Sequence, residues 1–238
     1  MNERRILIVI PAHNEEASIA AVIEALRKHA PQYDRLIVND CARDATGDIV
    51  DRLGERHLRL PCNLGYGHAL QTGLKYGLLH GYDVMISFDA DGQHRAEDIQ
   101  PLTEALLKSD AAMAIGSRYC DGRPYTGPIG RRLGQFLFSH LTRPLIGQRI
   151  HDTTSGFKAV NAGACAMIVK GVYMDFHTET IVRLSLNGFK IIEHPITVRE
   201  RRHGRSMHSA VSAFAYPLQT FLLTVVATVD ALLERRTR

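Results

Sequence analysis

At 238 residues, 45% hydrophobic and 23% charged, the chain has the size and composition of one large globular domain with a sizeable core. A net charge of +4, few aromatics and no recognisable reader motif argue against nucleic acid as a partner. Cys41, Cys62, Cys120 and Cys165 lie far apart with no Cys-x-x-Cys pair. That argues against a zinc site or disulfide framework and points to a reducing compartment.

The first apolar run, after Met1-Asn2-Glu3-Arg4-Arg5, is too short for a secretory signal, so a cytoplasmic protein is expected. Arg5 to Ile10 reads as a buried strand, and Ile19, Val22, Ile23 and Leu26 mark one face of a helix. Leu36–Val38 is a second strand, Thr46–Leu53 a short helix, and Leu58–Leu60 a third strand. Leu70, Gly73, Leu74, Gly77 and Leu78 share one side of the next helix. A strand at 84–88, a helix carrying Ile99, Leu102 and Leu106, and a strand at Ala111–Ile115 complete the first half. This alternation predicts an α/β fold with a largely parallel sheet covered by helices on both faces.

The second half is less regular. Arg118–Gly130 is rich in Gly, Pro and Arg and reads as a mobile loop. A helix from Arg131 to Ile146, the segment Asp152–Phe157, a helix around Glu179–Leu186 and a strand at Ile191–His194 follow. From Ser209 to Val229 no residue is charged, which is about the 20-residue length of a membrane span. However, Ser212, Tyr216, Thr220, Thr224 and Thr228 recur every fourth position, and Pro217 and Gln219 interrupt the apolar run. An interfacial or helix-pairing element, anchored by Arg235, Arg236 and Arg238, fits better than a span. The expected division is a domain at 1–208 and a C-terminal apolar helix with a basic tail at 209–238.

Ligands of open α/β sheets gather at the carboxyl ends of the strands. Here those ends carry Pro11-Ala12-His13-Asn14-Glu15, Asn39-Asp40 and Asp89-Ala90-Asp91. Residues two apart at a strand end share a face, so Asp89 and Asp91 offer two hard oxygen ligands together. Such a pair suits Mg²⁺ or Mn²⁺ bound jointly with substrate phosphates. The competing motifs fail. Gly65-Tyr66-Gly67-His68-Ala69-Leu70 lacks the third glycine of a dinucleotide fingerprint and follows the wrong strand. There is no P-loop, no His-Glu-x-x-His and no Gly-x-Ser-x-Gly elbow.

Ile10–Glu16, Val38–Thr46, Asn63–Gly67, Asp89–Asp91, Gly116-Ser117-Arg118, Thr154–Phe157 and Arg201–Ser206 occur in an order that resembles the family 2 glycosyltransferases of the GT-A (Rossmann-like) fold. The last three are similar to the dolichol- and polyprenyl-phosphate mannose synthase-like branch. The resemblance implies an inverting enzyme that moves a sugar from a UDP- or GDP-sugar to a polyprenyl phosphate. It implies that Pro11, Ala12, Asn14, Glu15, Asp40, Asn63, Gly65 and Ala90 line the donor pocket, with Asp40 accepting from the base. Asp89, Asp91 and Gln93 would hold the metal, and Arg118, Arg131, Arg201 or Arg202 would meet phosphate. Asp152, Glu179, Gln135 and Ser206 would complete the acceptor side.

Some positions depart from the family pattern. Asn39 replaces an Asp, and Cys41-Ala42 replaces Gly-Ser, which removes the permissive residue from that turn. Gln135 and Met207 replace Ser and Lys on the acceptor side. The alternative is a hydroxyl acceptor with Asp152 as general base. The basic tail and apolar C-terminal segment point to a cytoplasmic membrane face, and leave open a homo-oligomer or a small membrane partner.

Overall fold

The structure, a computed structural model, describes residues 4–122, 132, 139–140, 142–171, 176–199 and 210–236, with side chains of the last stretch described over 220–233. Strand β1 (Ile6–Ala12) is buried along its whole length. Its side chains alternate between two cores. Ile6, Ile8 and Ile10 pack against helices α1 (Ile19–His29) and α4 (Ile99–Lys108) on one face of the sheet. Leu7 and Val9 pack against α3 (Tyr66–Leu79) on the other. A strand buried on both faces needs an unbroken apolar run, and burial stabilises by about 1.5–3 kcal/mol per large aliphatic residue.

The remaining strands are β2 (Asp34–Asn39), β3 (His57–Arg59), β4 (Val84–Ser87), β5 (Met113–Ser117), β6 (Lys158–Asn161) and β7 (Ile191–Pro195). They form one seven-stranded mixed sheet in the order β3-β2-β1-β4-β6-β5-β7. β1 is parallel to β2 and β4, and β5 to β7, while β6 alone runs against its neighbours. The register sets Ala12 beside Asn39 and Val9 beside Ser87, so three carboxyl ends share one edge. Because β6 is reversed, its first residue, Lys158, pairs with Ser87 at that same edge.

The expected strands and helices of the first half are all present, with boundaries shifted by a residue or two: β1 runs on to Ala12, β3 is His57–Arg59, and β5 is Met113–Ser117. Strand β6 and the helix α6 (Ala162–Ile168) were not expected. β6 is only four residues long and opens on a lysine, so it carries no apolar run. α6 begins at an Asn161 cap whose side chain accepts from the Ala164 amide at 2.8 Å. The expected helix over 131–146 is not continuous: Thr142 lies in a bend, and a separate short helix α5 (Arg143–Ile146) starts with Pro144 in its first turn. Most of the loop expected over 118–130, residues 123–130, lies outside the described residues.

Helix α7 (Thr178–Leu186) is followed, after β7, by α8 (Ala210–Arg236), which rests on it. The threonine stripe of α8 faces inward. Thr220 and Thr224 are buried, while Phe221, Leu222, Val225, Val229, Leu232 and Leu233 are exposed. The hydroxyls of Thr224 and Thr228 donate to the Thr220 and Thr224 carbonyls at 2.7 Å, so the buried stripe carries its own partners. Among the described residues no helix is long and apolar enough to cross a membrane.

α3 sits close to the sheet because two glycines face it. A Cβ on Gly73 would lie 2.2 Å from the Val9 side chain, and one on Gly77 would lie 2.6 Å from Met85. Gly73→Ala should therefore lower unfolding stability by about 1–3 kcal/mol, read from the urea midpoint. A midpoint equal to wild type would show that the helix can lift away freely.

Candidate active site

The first two sequence motifs interlock through side chains. Asn14 takes a left-handed backbone conformation (φ 56°), and its carboxamide oxygen accepts from the Arg43 amide at 2.8 Å. Glu15 and Glu16 bind the second loop in turn: the Glu15 amide donates to Thr46 Oγ1, and Glu16 accepts from the Ala45 amide. Asp44 lies beneath this junction. Burial would raise its carboxyl, but the Thr46 hydroxyl and amide outweigh that and hold it below the usual range. The turn after β2 keeps its glycine-like shape without glycine. Asn39 Oδ1 accepts from the Ala42 amide at 2.9 Å, and Cys41 adopts φ 54°.

Asp40 is buried, and each carboxylate oxygen already accepts a backbone N–H, from Leu64 at 2.7 Å and Gly65 at 2.8 Å. His13, which sequence reasoning passed over, lies between the motifs. Its Nδ1 donates to the Asp40 carbonyl at 2.6 Å, since a carbonyl can only accept. That tautomer leaves Nε2 to accept from the Asn14 and Asn63 carboxamides, each at 3.1 Å. Pro11 and Ala12 are buried beneath, and Gly65 (φ 84°) turns the chain into α3.

Asp89 is the centre of the edge. Oδ1 accepts from the Tyr66 hydroxyl at 2.9 Å and Oδ2 from His94 Nε2 at 3.1 Å. Burial would raise this carboxyl, but the hydrogen bond and charge of His94, with the Tyr66 hydroxyl, hold it below the ordinary range. His94 is itself buried against Phe88 and Phe157. Ala90 is buried, and the Asp91 carboxylate accepts from the Gln93 amide at 3.0 Å. Gly156 presses on Asp89 from β6's side, where a Cβ would fall 2.7 Å from Oδ2. Opposite, the His177 ring stacks on Tyr66. His177 stays neutral, because burial first and the Lys158 charge second push its pKa to about 3. His94 was visible in the sequence five residues after Asp89; Tyr66 and His177 carried no such signal.

On the other side of the edge, Asp152 is fully buried and closed on Arg118. Arg118 Nε and Nη2 donate to its two oxygens at 2.7 Å, and the Arg118 amide adds a third bond at 3.0 Å. The guanidinium fork expected to meet phosphate thus faces a carboxylate. Glu193 of β7 secures this loop by accepting from the His151 and Asp152 amides at 2.8 Å. Glu179 is buried on α7, where burial raises its carboxyl and the His177 amide and Thr180 hydroxyl partly offset this. Arg131, Gln135, Arg201, Arg202 and Ser206 lie outside the described residues.

A mostly parallel sheet with these motifs along its carboxyl edge is the GT-A-like fold of nucleotide-sugar glycosyltransferases. It matches the structure of glucosyl-3-phosphoglycerate synthase from Mycobacterium tuberculosis, solved with Mn²⁺, UDP-glucose and phosphoglyceric acid. The TM-score is 0.71 at 20% identity, over 94% of this chain and 80% of that one. The family profile described as glycosyl transferase family 2 matches residues 7–169, and the chain belongs to that family. It is 32% identical to the undecaprenyl-phosphate mannosyltransferase of Micrococcus luteus, over 86% of this chain and 88% of that protein. It is also 32% identical to the polyprenol monophosphomannose synthase of Mycolicibacterium smegmatis, over 87% and 82%.

The Cys41 turn offers a direct test of the local geometry. Cys41→Gly should stabilise by about 0.5–1 kcal/mol, the left-handed penalty less the extra entropy that glycine loses on folding. A lower melting temperature would mean that the thiol's contact with the Pro61 carbonyl outweighs the strain.

Proposed function

We propose that this glycosyltransferase moves a sugar from a nucleoside-diphosphate donor to a polyprenyl phosphate at a membrane surface. The observation that carries the choice of acceptor is the Asp152–Arg118 pair. A hydroxyl acceptor needs an accessible carboxylate base, and the candidate, Asp152, is fully buried and held by three donors from Arg118. A phosphate acceptor is already ionised and needs none. The names of the Micrococcus and Mycolicibacterium relatives support the same acceptor class and make an activated mannose the first donor to test.

In this reading Pro11, Ala12, Asn14, Glu15, Asn63 and Gly65 enclose the nucleoside. Asp40 has lone pairs left beyond its two loop amides, and these accept the imide N–H of uracil or guanine. Asp89, Asp91 and Gln93 suit one divalent cation, Mg²⁺ or Mn²⁺, because all three offer hard oxygen atoms and Asp89 is held ionised. Among the described residues no three His, Cys, Asp or Glu side chains converge as a complete cage. Diphosphate oxygens and water would fill the remaining positions. When bound, the cation neutralises the charge that develops on the leaving diphosphate.

The reaction on this site is a single displacement. An acceptor phosphate oxygen attacks the sugar's anomeric carbon as its bond to the diphosphate breaks, and the electron pair leaves with the nucleotide. The chain's part is to position the two anions and exclude water. Arg131, Arg201 and Arg202, with Gln135 and Ser206, are the groups we assign to the acceptor phosphate, while Arg118 holds Asp152 in place. The segment 209–238 serves as the membrane-facing element. The apolar residues of α8 point away from the domain, and the arginines at 235, 236 and 238 suit anionic headgroups.

The proposal is tested by sugar incorporation into extractable lipid from UDP- and GDP-sugars, with polyprenyl phosphate or a soluble alcohol as acceptor; transfer to the alcohol alone would refute it. Asp91→Ala should lower turnover at saturating donor and metal by about a hundredfold, equivalent to about 3 kcal/mol. Activity within a few-fold of wild type would remove Asp91 from the metal site. Replacing Phe221 and Val225 together with glutamate should abolish sedimentation with anionic vesicles while donor hydrolysis continues at the wild-type rate. Undiminished vesicle binding would assign the exposed face of α8 to another partner.

A further inference from the structure

The run Phe157-Lys158-Ala159-Val160 places a lysine inside the sheet. Lys158 is 0% exposed. Its ammonium donates to the Ser155 carbonyl and, at 2.6 Å, to the Phe176 carbonyl, and lies 4.8 Å from the centre of the Phe176 ring. Burial lowers its pKa to about 8, opposed by the charges of Glu179, Asp152 and Asp89 in that order. A buried ammonium is costly to desolvate, and carbonyl acceptors with nearby carboxylates offset that cost.

Of the two segments it joins, one abuts Asp89 and the other reaches it through Tyr66. On one side Gly156 follows Ser155, fits against the Asp89 carboxylate and accepts through its carbonyl from the Ser87 hydroxyl at 2.5 Å. On the other, His177 follows Phe176 and stacks on Tyr66, which donates to Asp89. Phe176 has φ 61°, a left-handed conformation costing a non-glycine residue about 1–2 kcal/mol and needing support from its surroundings. The Lys158 bond to the Phe176 carbonyl and the His177 amide bond to Glu179 hold it there.

We propose that Lys158 is a positioning residue for the diphosphate–metal centre, clamping the 155–156 and 176–177 segments together so that they fix the orientation of Asp89. Glu179, expected at the acceptor phosphate, serves instead as a buried counter-charge to this clamp. The inference rests on the metal site proposed above. It adds a residue that touches neither donor nor cation, and its effect is on the metal-dependent part of nucleotide binding.

The test is calorimetric titration of UDP and GDP into wild type, Lys158→Met and Lys158→Gln, each in Mn²⁺ and in EDTA, with folding checked by circular dichroism. Dissociation constants in EDTA should stay within about threefold of wild type, because the nucleoside pocket is built by other loops. The Mn²⁺-dependent gain should fall about tenfold or more in Lys158→Met, the range seen when a group supporting a metal ligand is removed. Lys158→Gln, which keeps one donor, should lose less. A folded Lys158→Met variant with its Mn²⁺ gain intact overturns the inference. If that variant does not fold, an intact gain in Lys158→Gln does so equally. If neither folds, Lys158 is a folding residue and the positioning role falls. No Mn²⁺ gain in wild type would overturn the metal-site reading, and this inference with it.

Discussion

The edge of this sheet depends on keeping one carboxylate charged in a place that disfavours charge. Asp89 ends a buried strand, and its side chain is only 26% exposed. Desolvation by itself raises its pKa and favours the protonated acid, a poor partner for a cation. His94 and Tyr66 supply one donor to each oxygen. Each of those donors is positioned in turn: His94 by Phe88 and Phe157, Tyr66 by the start of α3 and the His177 ring. Much of the packing around β4 therefore serves to hold one pair of oxygen atoms.

The opposite half of the edge solves a similar problem differently. Asp152 is buried more deeply than Asp89, and a single arginine supplies its side-chain donors in place of a histidine and a tyrosine. A bidentate guanidinium pair fixes the geometry of both partners. One carboxylate is thus left able to accept further ligands, while the other is committed. The two acids therefore differ in what they can do: one follows β4, and the other is tied to the arginine that follows β5.

The first half of the fold was legible because its strands are uninterrupted apolar runs and its helices carry apolar residues at helical spacing, as Ile19, Val22, Ile23 and Leu26 do. The sharing of an edge by Asp40 and Asp89 followed from that order. Legibility ended where local pattern and tertiary role diverge. Lys158 masks a core strand by looking like surface. The threonines of α8 read as a polar face, yet Thr220 and Thr224 are buried and Thr228 half-buried, and the hydroxyls of Thr224 and Thr228 are satisfied within the helix. Asn14 and Cys41 adopt left-handed conformations that their identities alone do not announce. His13, Tyr66 and His177 reach the site from three separate parts of the chain, the loop after β1, the start of α3 and the residue before α7, and no spacing links them.

The reversed strand also sets where the molecule can change. Between parallel strands a connection must cross the body of the protein to return to its starting edge. β5 and β6 are antiparallel neighbours, with Ile115 opposite Lys158, so the chain between them departs from and rejoins the sheet at the same edge. That stretch carries Arg118 and Asp152. Because it takes no part in the pairing of β1, β2 and β4, the strands that lead to Asp40 and Asp89, it is separable from them in the topology. A sheet of this design can keep the edge that carries Asp40 and Asp89 while the stretch that carries Arg118 and Asp152 changes.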